Sequence, residues 1–312
     1  MAEPRLVSVI VATRDRPKLL AEALASIRAI EGPDLKFEIL VGDNGGLPAS
    51  KEVAEHYGAY HQYTPKNYCP APRNLAMRRA TGEFIAFLDD DDVWLPGHIR
   101  KHIEILDAEK EFAGVFSQII STDPDLVPLD DPWPEKVPQD GDFFLMLLSG
   151  YFPQVGGTLF RASVLETHGY MDESLIGDSD WDWQLRIATD HKFGFVALPS
   201  VLFRQRPKGS FNTMQLQRSA FTRRIFLRHA IPNRHRWPDW KSWIRSYYAC
   251  QTYYWLYFVD VASQRSSAGD RWGAIKATFS AFWIIPTRTI RRVLTKNVTQ
   301  RQSSSSAKAQ KW

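Results

Sequence analysis

Four consecutive carboxylates, Asp89 to Asp92, are the side chains of this sequence best suited to chemistry. They follow the apolar run 84–88, which predicts a buried strand. Because like charges this close repel each other, the group needs a positive partner to stay ionised. Oxygen ligands at the end of a strand suit a hard divalent cation such as Mg²⁺ or Mn²⁺, which also binds phosphate. The alternative is a solvated acidic turn that leads into a helix.

Strand and helix patterns alternate around this run. Residues 6–12 and 37–41 predict buried strands, and the apolar spacing within residues 19–27 predicts a helix between them. The loops that follow the two strands carry Thr13 and Asp43. We therefore predict an α/β fold with a mixed, mainly parallel sheet flanked by helices and a ligand site beyond the carboxyl ends of the strands. No G-x-G-x-x-G follows the first strand, which argues against a dinucleotide site.

The regular pattern is interrupted between residues 111 and 139, where five prolines occur. We predict a loop or flap here that borders the site. Beyond Asn212 the sequence predicts helices. Residues 301–312 are of low complexity and predict a disordered tail.

Charge is divided unevenly along the chain. Residues 1–203 carry 18 Lys and Arg against 32 Asp and Glu, whereas residues 204–312 carry 21 against 3. This division predicts that the C-terminal third contacts something anionic. The two cysteines, Cys69 and Cys250, lack the spacing of a metal site or a disulfide framework, which favours a reducing compartment. With no signal-peptide pattern and no stretch long enough to span a bilayer, a cytoplasmic location is expected.

Five segments, in this order, resemble those of the family 2 glycosyltransferases of the GT-A fold. They are Val7–Thr13, Glu38–Asp43, Arg73–Ala76, Thr81–Trp94 and Asp180–Arg186. The resemblance implies a GT-A, Rossmann-like catalytic domain over residues 1–212, followed by a basic, aromatic helical extension over residues 213–300 and the tail. Members of this family transfer a sugar from a nucleotide diphosphate donor, and most of them invert the anomeric centre.

The resemblance also implies a metal and phosphate site in the acidic run. Asp89 to Asp91 correspond to the family's D-x-D motif. Asp91 is expected to bind the metal directly, with Asp89 as a further metal ligand. Asp89 or Asp90 is expected to hold the donor ribose or a metal-bound water, and Asp92 is expected to cap the helix that begins near Pro96.

Four more positions are expected to contact the donor. The resemblance places Asp43 at the base, typically uracil, with backbone contacts near Thr13; the alternative for Asp43 is an Asx turn before two glycines. It places Arg73 near the donor, and the alternative there is a surface arginine that begins a helix. Arg206 stands where relatives often have a histidine, and we predict that its guanidinium clamps the diphosphate. A basic surface loop is the alternative for Arg206.

Inversion in one displacement requires a base opposite the leaving group, to remove the proton of the acceptor hydroxyl. The resemblance implies Asp180 for this role, with the rings of Trp181 and Trp183 as walls of an acceptor subsite. Ser179 stands where the family usually has an acid, which leaves Asp178 to compensate and the register of this segment open by two residues. An N-cap role for Asp180 is compatible with catalysis.

The C-terminal extension interleaves Trp, Tyr and Phe with Arg and Lys, for example in residues 237–258 and 271–283. Such residues suit a lipid–water interface, which predicts docking on the anionic inner face of the cell membrane. The alternatives are a subdomain that packs its rings on the catalytic core, and an interface within a homo-oligomer. No nucleic-acid-binding motif accompanies the charge, so nucleic acid is not expected as a partner.

These inferences predict an inverting glycosyltransferase of cell-surface polysaccharide biosynthesis. It would move a hexose-type sugar from a UDP donor to a glycan or lipid-linked acceptor, with Mn²⁺ or Mg²⁺. The alternatives are a nucleotidyltransferase, which would release pyrophosphate, and an inactive nucleotide-sugar-binding module in a membrane assembly.

Overall fold

The computed structural model of the chain describes residues 3–135, 143–205 and 215–285. They fall into two compact units, one within Met1–Phe144 and Pro153–Lys208 and the other within Leu145–Phe152 and Gly209–Trp312. The strands are β1 (Arg5–Thr13), β2 (Leu35–Asp43), β3 (Tyr60–Tyr63), β4 (Phe84–Asp89), β5 (Val93–Trp94), β6 (Phe112–Thr122), β7 (Thr158–Arg161) and β8 (Lys192–Arg204). The helices are α1 (Pro17–Arg28), α2 (Pro48–His56), α3 (Pro70–Met77), α4 (His98–Ala108), α5 (Phe144–Leu148), α6 (Val164–His168), α7 (Ser179–Asp190), α8 (Gln215–Ala230), α9 (Trp240–Ser267) and α10 (Arg271–Ile284).

The strands of the first unit form one sheet in the order β3-β2-β1-β4-β7-β6-β8-β5. Strands β3, β2, β1 and β4 run parallel to one another, as do β6 and β8. Strand β7 is antiparallel to both of its neighbours, and β5 is antiparallel to β8. The predicted α/β fold with a mixed, mainly parallel sheet and C-terminal helices is therefore confirmed.

Apolar residues of the central strands and of α1 build the core of this unit. Strands β1 and β4 are buried on both faces, as expected for strands covered by helices on each side. Helix α1 buries one stripe, namely Leu20, Ala23, Leu24 and Ile27. The helical spacing of these residues in the sequence is the reason why one face of α1 packs against the sheet.

The predicted loop between residues 111 and 139 is wrong over its first part. Residues 112–122 form β6, which pairs with β7 on one side and β8 on the other. The β-branched and aromatic residues of this segment suit a strand, and the prolines begin only at Pro124. Residues 123–135 lack regular helix or strand but bridge back to β6 through Trp133 and Pro128.

The second unit contains a helical hairpin. Tyr254, Trp255 and Phe258 of α9 share a small core with Ala281 and Ile284 of α10. Both helices begin with an aspartate cap: Asp239 accepts a bond from the Ser242 amide at 2.6 Å, and Asp270 accepts one from the Gly273 amide at 2.8 Å. Over the described ranges we find no helix with the length and apolarity needed to cross a bilayer. The predicted boundary at residue 212 and the predicted tail lie outside the described residues.

Candidate active site

Three predicted site residues lie at the same edge of the sheet. Because β1 pairs in parallel with β2 and β4, Thr13 stands beside Asp43, and Ala12 stands beside Asp89. The carboxyl ends of these strands therefore bring their polar residues together, as the alternating pattern predicts.

The acidic run after β4 divides into two sets. Asp89, Asp91 and Asp92 each offer one carboxylate oxygen to a common point, and these oxygens lie within 4.8 Å of one another. Three such oxygens can hold a hard divalent cation. Asp92 joins the two ligands expected from the sequence, and it does not cap the next helix, because α4 begins after Gly97 without a side-chain cap. Instead, Asp92 accepts a bond from the amide of Arg204 at 2.9 Å.

Asp90 is not one of these three carboxylates, and it is fully buried. Its carboxylate accepts a bond from Thr13 Oγ1 at 2.7 Å and pairs with Arg16 Nη2 at 2.5 Å. Burial raises the pKa of Asp90 to about 7, although Arg16 and the Thr13 hydroxyl act in the opposite direction. The predicted contact of Asp90 with the donor is therefore wrong. The buried side chain instead links the loop after β4 to Thr13 and Arg16 at the end of β1. The Thr13 hydroxyl takes part in this link, and the expected backbone contact near Thr13 with the donor stays a prediction.

Sequence reasoning missed Arg16, which lies just before α1. Its guanidinium pairs with both Asp90 and Asp91, the latter at 2.7 Å. Four adjacent carboxylates repel one another and need a positive partner to stay ionised. This need was the signal in the sequence that pointed to an arginine in the neighbouring loop after β1.

Arg73 lies on α3 and is buried, so it is not the surface arginine considered as its alternative. Helix α3 approaches β2 so closely that a Cβ on Gly42 would lie 2.0 Å from the carbonyl oxygen of Pro72, which only glycine permits. This approach carries the Arg73 guanidinium to Asp89, with which it pairs, and to within 3.6 Å of Asp180 Oδ2. Burial acts to lower the pKa of Arg73, but the charges of these acids raise it well above its ordinary value.

Asp43 is fully buried at the end of β2. One of its oxygens accepts bonds from the amides of Gly45, at 2.8 Å, and Gly46, at 3.3 Å. The other lies 3.1 Å from Nε2 of His61 on β3, a partner that sequence reasoning missed. This geometry is the Asx turn considered as the alternative. The contact of Asp43 with a nucleotide base stays a prediction.

Asp180 stands in the first turn of α7, where its side chain is 32% exposed and reaches Arg73. The N-cap position belongs to Asp178, whose φ of 57° lies in the left-handed region. Asp182 is fully buried and pairs with Arg186 one turn further on, at 3.3 Å. Arg73 links Asp180 to Asp89 of the acidic cluster.

The two tryptophans of α7 differ from expectation. Trp183 is completely buried, packs edge-on against Phe87 and donates from Nε1 to the carbonyl of Gly169 at 2.8 Å. Its predicted place in an acceptor subsite is therefore wrong, because the helical period turns it into the core. Trp181 is also buried, at 3% exposure, and its acceptor role stays a prediction. Arg206 lies outside the described residues.

A mixed sheet with clustered acids at the end of its fourth strand is typical of GT-A glycosyltransferases, and solved structures share this fold. One is TarS 1–349 of S. aureus in complex with UDP-GlcNAc, with a TM-score of 0.57, 15% identity and coverage of 89% of this chain and 91% of that one. Another is the mannosyltransferase PcManGT from Pyrobaculum calidifontis in complex with GDP-Man and Mn²⁺, with a TM-score of 0.55, 15% identity and coverage of 99% and 85%.

The sequence comparison gives the family. The chain is 24% identical over 238 residues to the uncharacterized glycosyltransferase YwdF of Bacillus subtilis, which covers 72% of this chain and 84% of that protein. The sequence profile of glycosyl transferase family 2 matches residues 8–169, more than half of the chain. The chain belongs to glycosyl transferase family 2, which confirms the predicted family and the predicted enzyme class.

Proposed function

We propose that the enzyme transfers a sugar from a nucleotide diphosphate donor to a glycan or lipid-linked acceptor, with inversion and with Asp180 as the base. The observation that carries this proposal is the link between two groups of acids. Asp89, Asp91 and Asp92 converge within 4.8 Å, and Arg73 connects Asp89 of this cluster to Asp180.

The three converging carboxylates fit a divalent cation, Mn²⁺ or Mg²⁺, in number and in chemistry. When bound there, such a cation would neutralise the negative charge that develops on the departing diphosphate. PcManGT was solved with GDP-Man and Mn²⁺, which supports this choice. Without a cation, Arg16 pairs with Asp91 and Arg73 pairs with Asp89.

Asp180 is suited to the base role by its position. It is accessible, and Arg73 fixes its side chain. In the proposed step, Asp180 takes the proton of the acceptor hydroxyl while the hydroxyl oxygen bonds to the anomeric carbon. The bond to the nucleoside diphosphate breaks on the opposite side, so the configuration inverts and the leaving group takes the electron pair.

A UDP-sugar is our first choice of donor. Asp43 sits at the strand end where an acceptor for the base N–H is expected, and TarS was solved with UDP-GlcNAc. A GDP-sugar is the competing donor, because PcManGT was solved with GDP-Man.

A panel of UDP- and GDP-sugars, each with Mn²⁺, Mg²⁺ or EDTA, tests the proposal. We expect thermal stabilisation by one donor and slow release of nucleoside diphosphate that needs the metal. Asp91→Asn should lose both effects, whereas Asp131→Asn, a matched change at an exposed aspartate, should keep them. Release of pyrophosphate would identify a nucleotidyltransferase instead, and binding without turnover across acceptors would identify an inactive module.

A further inference from the structure

Helix α10 carries apolar residues on two opposite sides, and one of these sides is in solvent. Trp272, Phe279 and Trp283 are 81%, 70% and 75% exposed, and Ile275 and Phe282 beside them are also exposed. We call these five residues the α10 aromatic face. The opposite side of the helix, with Ala277, Ala281 and Ile284, is buried against α9.

This face is unusual for a helix at a protein surface. Single exposed apolar residues are common, but five on one helix face form a continuous patch of the kind that marks an interaction site. A helix without a polar face is normally buried on every side. The α10 aromatic face therefore needs an apolar environment that the rest of the described chain does not supply.

The charge around this face identifies the occupant. Arg271 and Lys276 are exposed on α10, and the helix contains no acidic residue. Lys276 follows Trp272 by one turn, on the same side of the helix. With 21 basic residues against 3 acidic ones in residues 204–312, the same face of a second copy would be repelled. The complementary surface has negative charge outside and an apolar interior. An anionic lipid bilayer has both, in its headgroups and its acyl chains.

We propose that α10 docks on an anionic lipid bilayer, with Trp272, Phe279 and Trp283 in the interface and with Arg271 and Lys276 against the headgroups. Trp is enriched at this depth because its ring is apolar while its N–H can still be hydrated. Docking would hold the enzyme next to a lipid-linked acceptor, and this last step rests on the proposed function.

Co-sedimentation of the full chain with phosphatidylcholine vesicles, with or without about one-third phosphatidylglycerol, tests the docking. We expect binding only to the anionic vesicles. The variant W272S/F279S/W283S should lose it, and R271Q/K276Q should weaken it roughly thirtyfold, at about a tenfold loss per 1.4 kcal/mol. V127S/L129S, which removes exposed apolar residues elsewhere, should bind like the wild type. Far-UV circular dichroism checks that each variant folds.

Three results would overturn the docking. The first is equal binding of the triple variant and the wild type to anionic vesicles. The second is binding of the wild type to neutral vesicles alone or to neither kind of vesicle. The third is a wild-type dimer in the absence of lipid, together with a monomeric triple variant. The assay contains no donor sugar, so its failure leaves the transfer activity untouched. Conversely, a chain that binds vesicles but releases no nucleoside diphosphate would refute the proposed function and leave the docking intact.

Discussion

Arg73 Nη1 lies 3.6 Å from Asp180 Oδ2, and the same guanidinium pairs with Asp89. One buried arginine therefore joins the acid at the end of β4 to the acid at the start of α7. Residues far apart in the chain are therefore held in one ion-pair network.

Asp180→Asn should reduce sugar transfer about a hundredfold or more, because it removes the group that accepts the acceptor proton. Donor affinity should change little, since the acidic cluster stays complete. Transfer to acceptor and calorimetric titration with the nucleotide measure the two quantities. Asp178→Asn is the matched control, because asparagine tolerates the left-handed backbone at that position. If Asp178→Asn abolishes transfer while Asp180→Asn retains it, the base is Asp178.

Arg73→Gln should lower the free energy of unfolding by about 3 kcal/mol, because it leaves the partners of a buried cation unpaired. It should also reduce kcat, because Asp180 loses the group that positions it. Urea unfolding and steady-state kinetics measure both effects. Arg79→Gln, just beyond the same helix, removes only an exposed stacking contact with Tyr60 and should cost less than about 1 kcal/mol. Equal losses in the two variants would contradict the network.

Arg16→Gln should strengthen the binding of Mn²⁺ to the nucleotide-free protein by about fivefold to tenfold. The reason is that a guanidinium 2.7 Å from Asp91 competes with a metal ion for the same charge. The metal-free variant should also melt at a lower temperature, because Asp90 and Asp91 lose their counter-ion. Electron paramagnetic resonance of free Mn²⁺ reports the affinity. Lys18→Gln, an equal change of charge in the first turn of α1, is the control, and weaker Mn²⁺ binding by Arg16→Gln would reject the competition.

Trp183→Phe should lower the melting temperature and leave kcat and the acceptor KM nearly unchanged. The substitution keeps most of the packing against Phe87 but removes the bond to the Gly169 carbonyl, at a cost of about 1–3 kcal/mol. Thermal unfolding and acceptor titration separate stability from binding. A raised acceptor KM at normal stability would restore Trp183 to the acceptor subsite.

Stability should decrease below pH 6.5 because of two buried histidines on α4. Burial lowers the pKa of His98 to about 4 and the pKa of His102 well below its ordinary value, so the unfolded chain binds protons that the folded chain does not. The stabilisation is complete above pH 6.5 and is lost as the pH falls towards 4. His98 alone predicts a loss of about 2 kcal/mol between pH 7.5 and pH 5.

His102→Leu provides the test of this pH dependence. Neither ring nitrogen of His102 has a hydrogen-bond partner among the described residues, so leucine removes two unpaired polar atoms. We expect the variant to take up about one proton fewer than the wild type on unfolding in this pH range. Its free energy of unfolding, measured in urea at several pH values, should therefore depend less on pH. Identical pH profiles for the two proteins would show that His102 does not titrate on unfolding.

The sequence predicted the parallel strands and the acids at their ends. Both are visible in short stretches of sequence, because the spacing of apolar residues marks a strand and the polar residues that follow mark its end. It did not predict β6, since the nearby prolines obscured an eleven-residue strand. Trp183 was misassigned for a related reason: spacing shows that two tryptophans lie on one helix, but only the packing shows how deeply each of them is buried.

Membership of glycosyl transferase family 2 followed from the order of the motifs, which the sequence carries by itself. Only the tertiary structure distinguished Asp90 from its three neighbours. Adjacent aspartates are equivalent in spacing, and the turn after β4 decides which carboxylate meets Thr13 and Arg16 and which three converge. The contact between Arg73 and Asp180 likewise depends on how closely α3 can approach β2, a distance set by the missing side chain of Gly42.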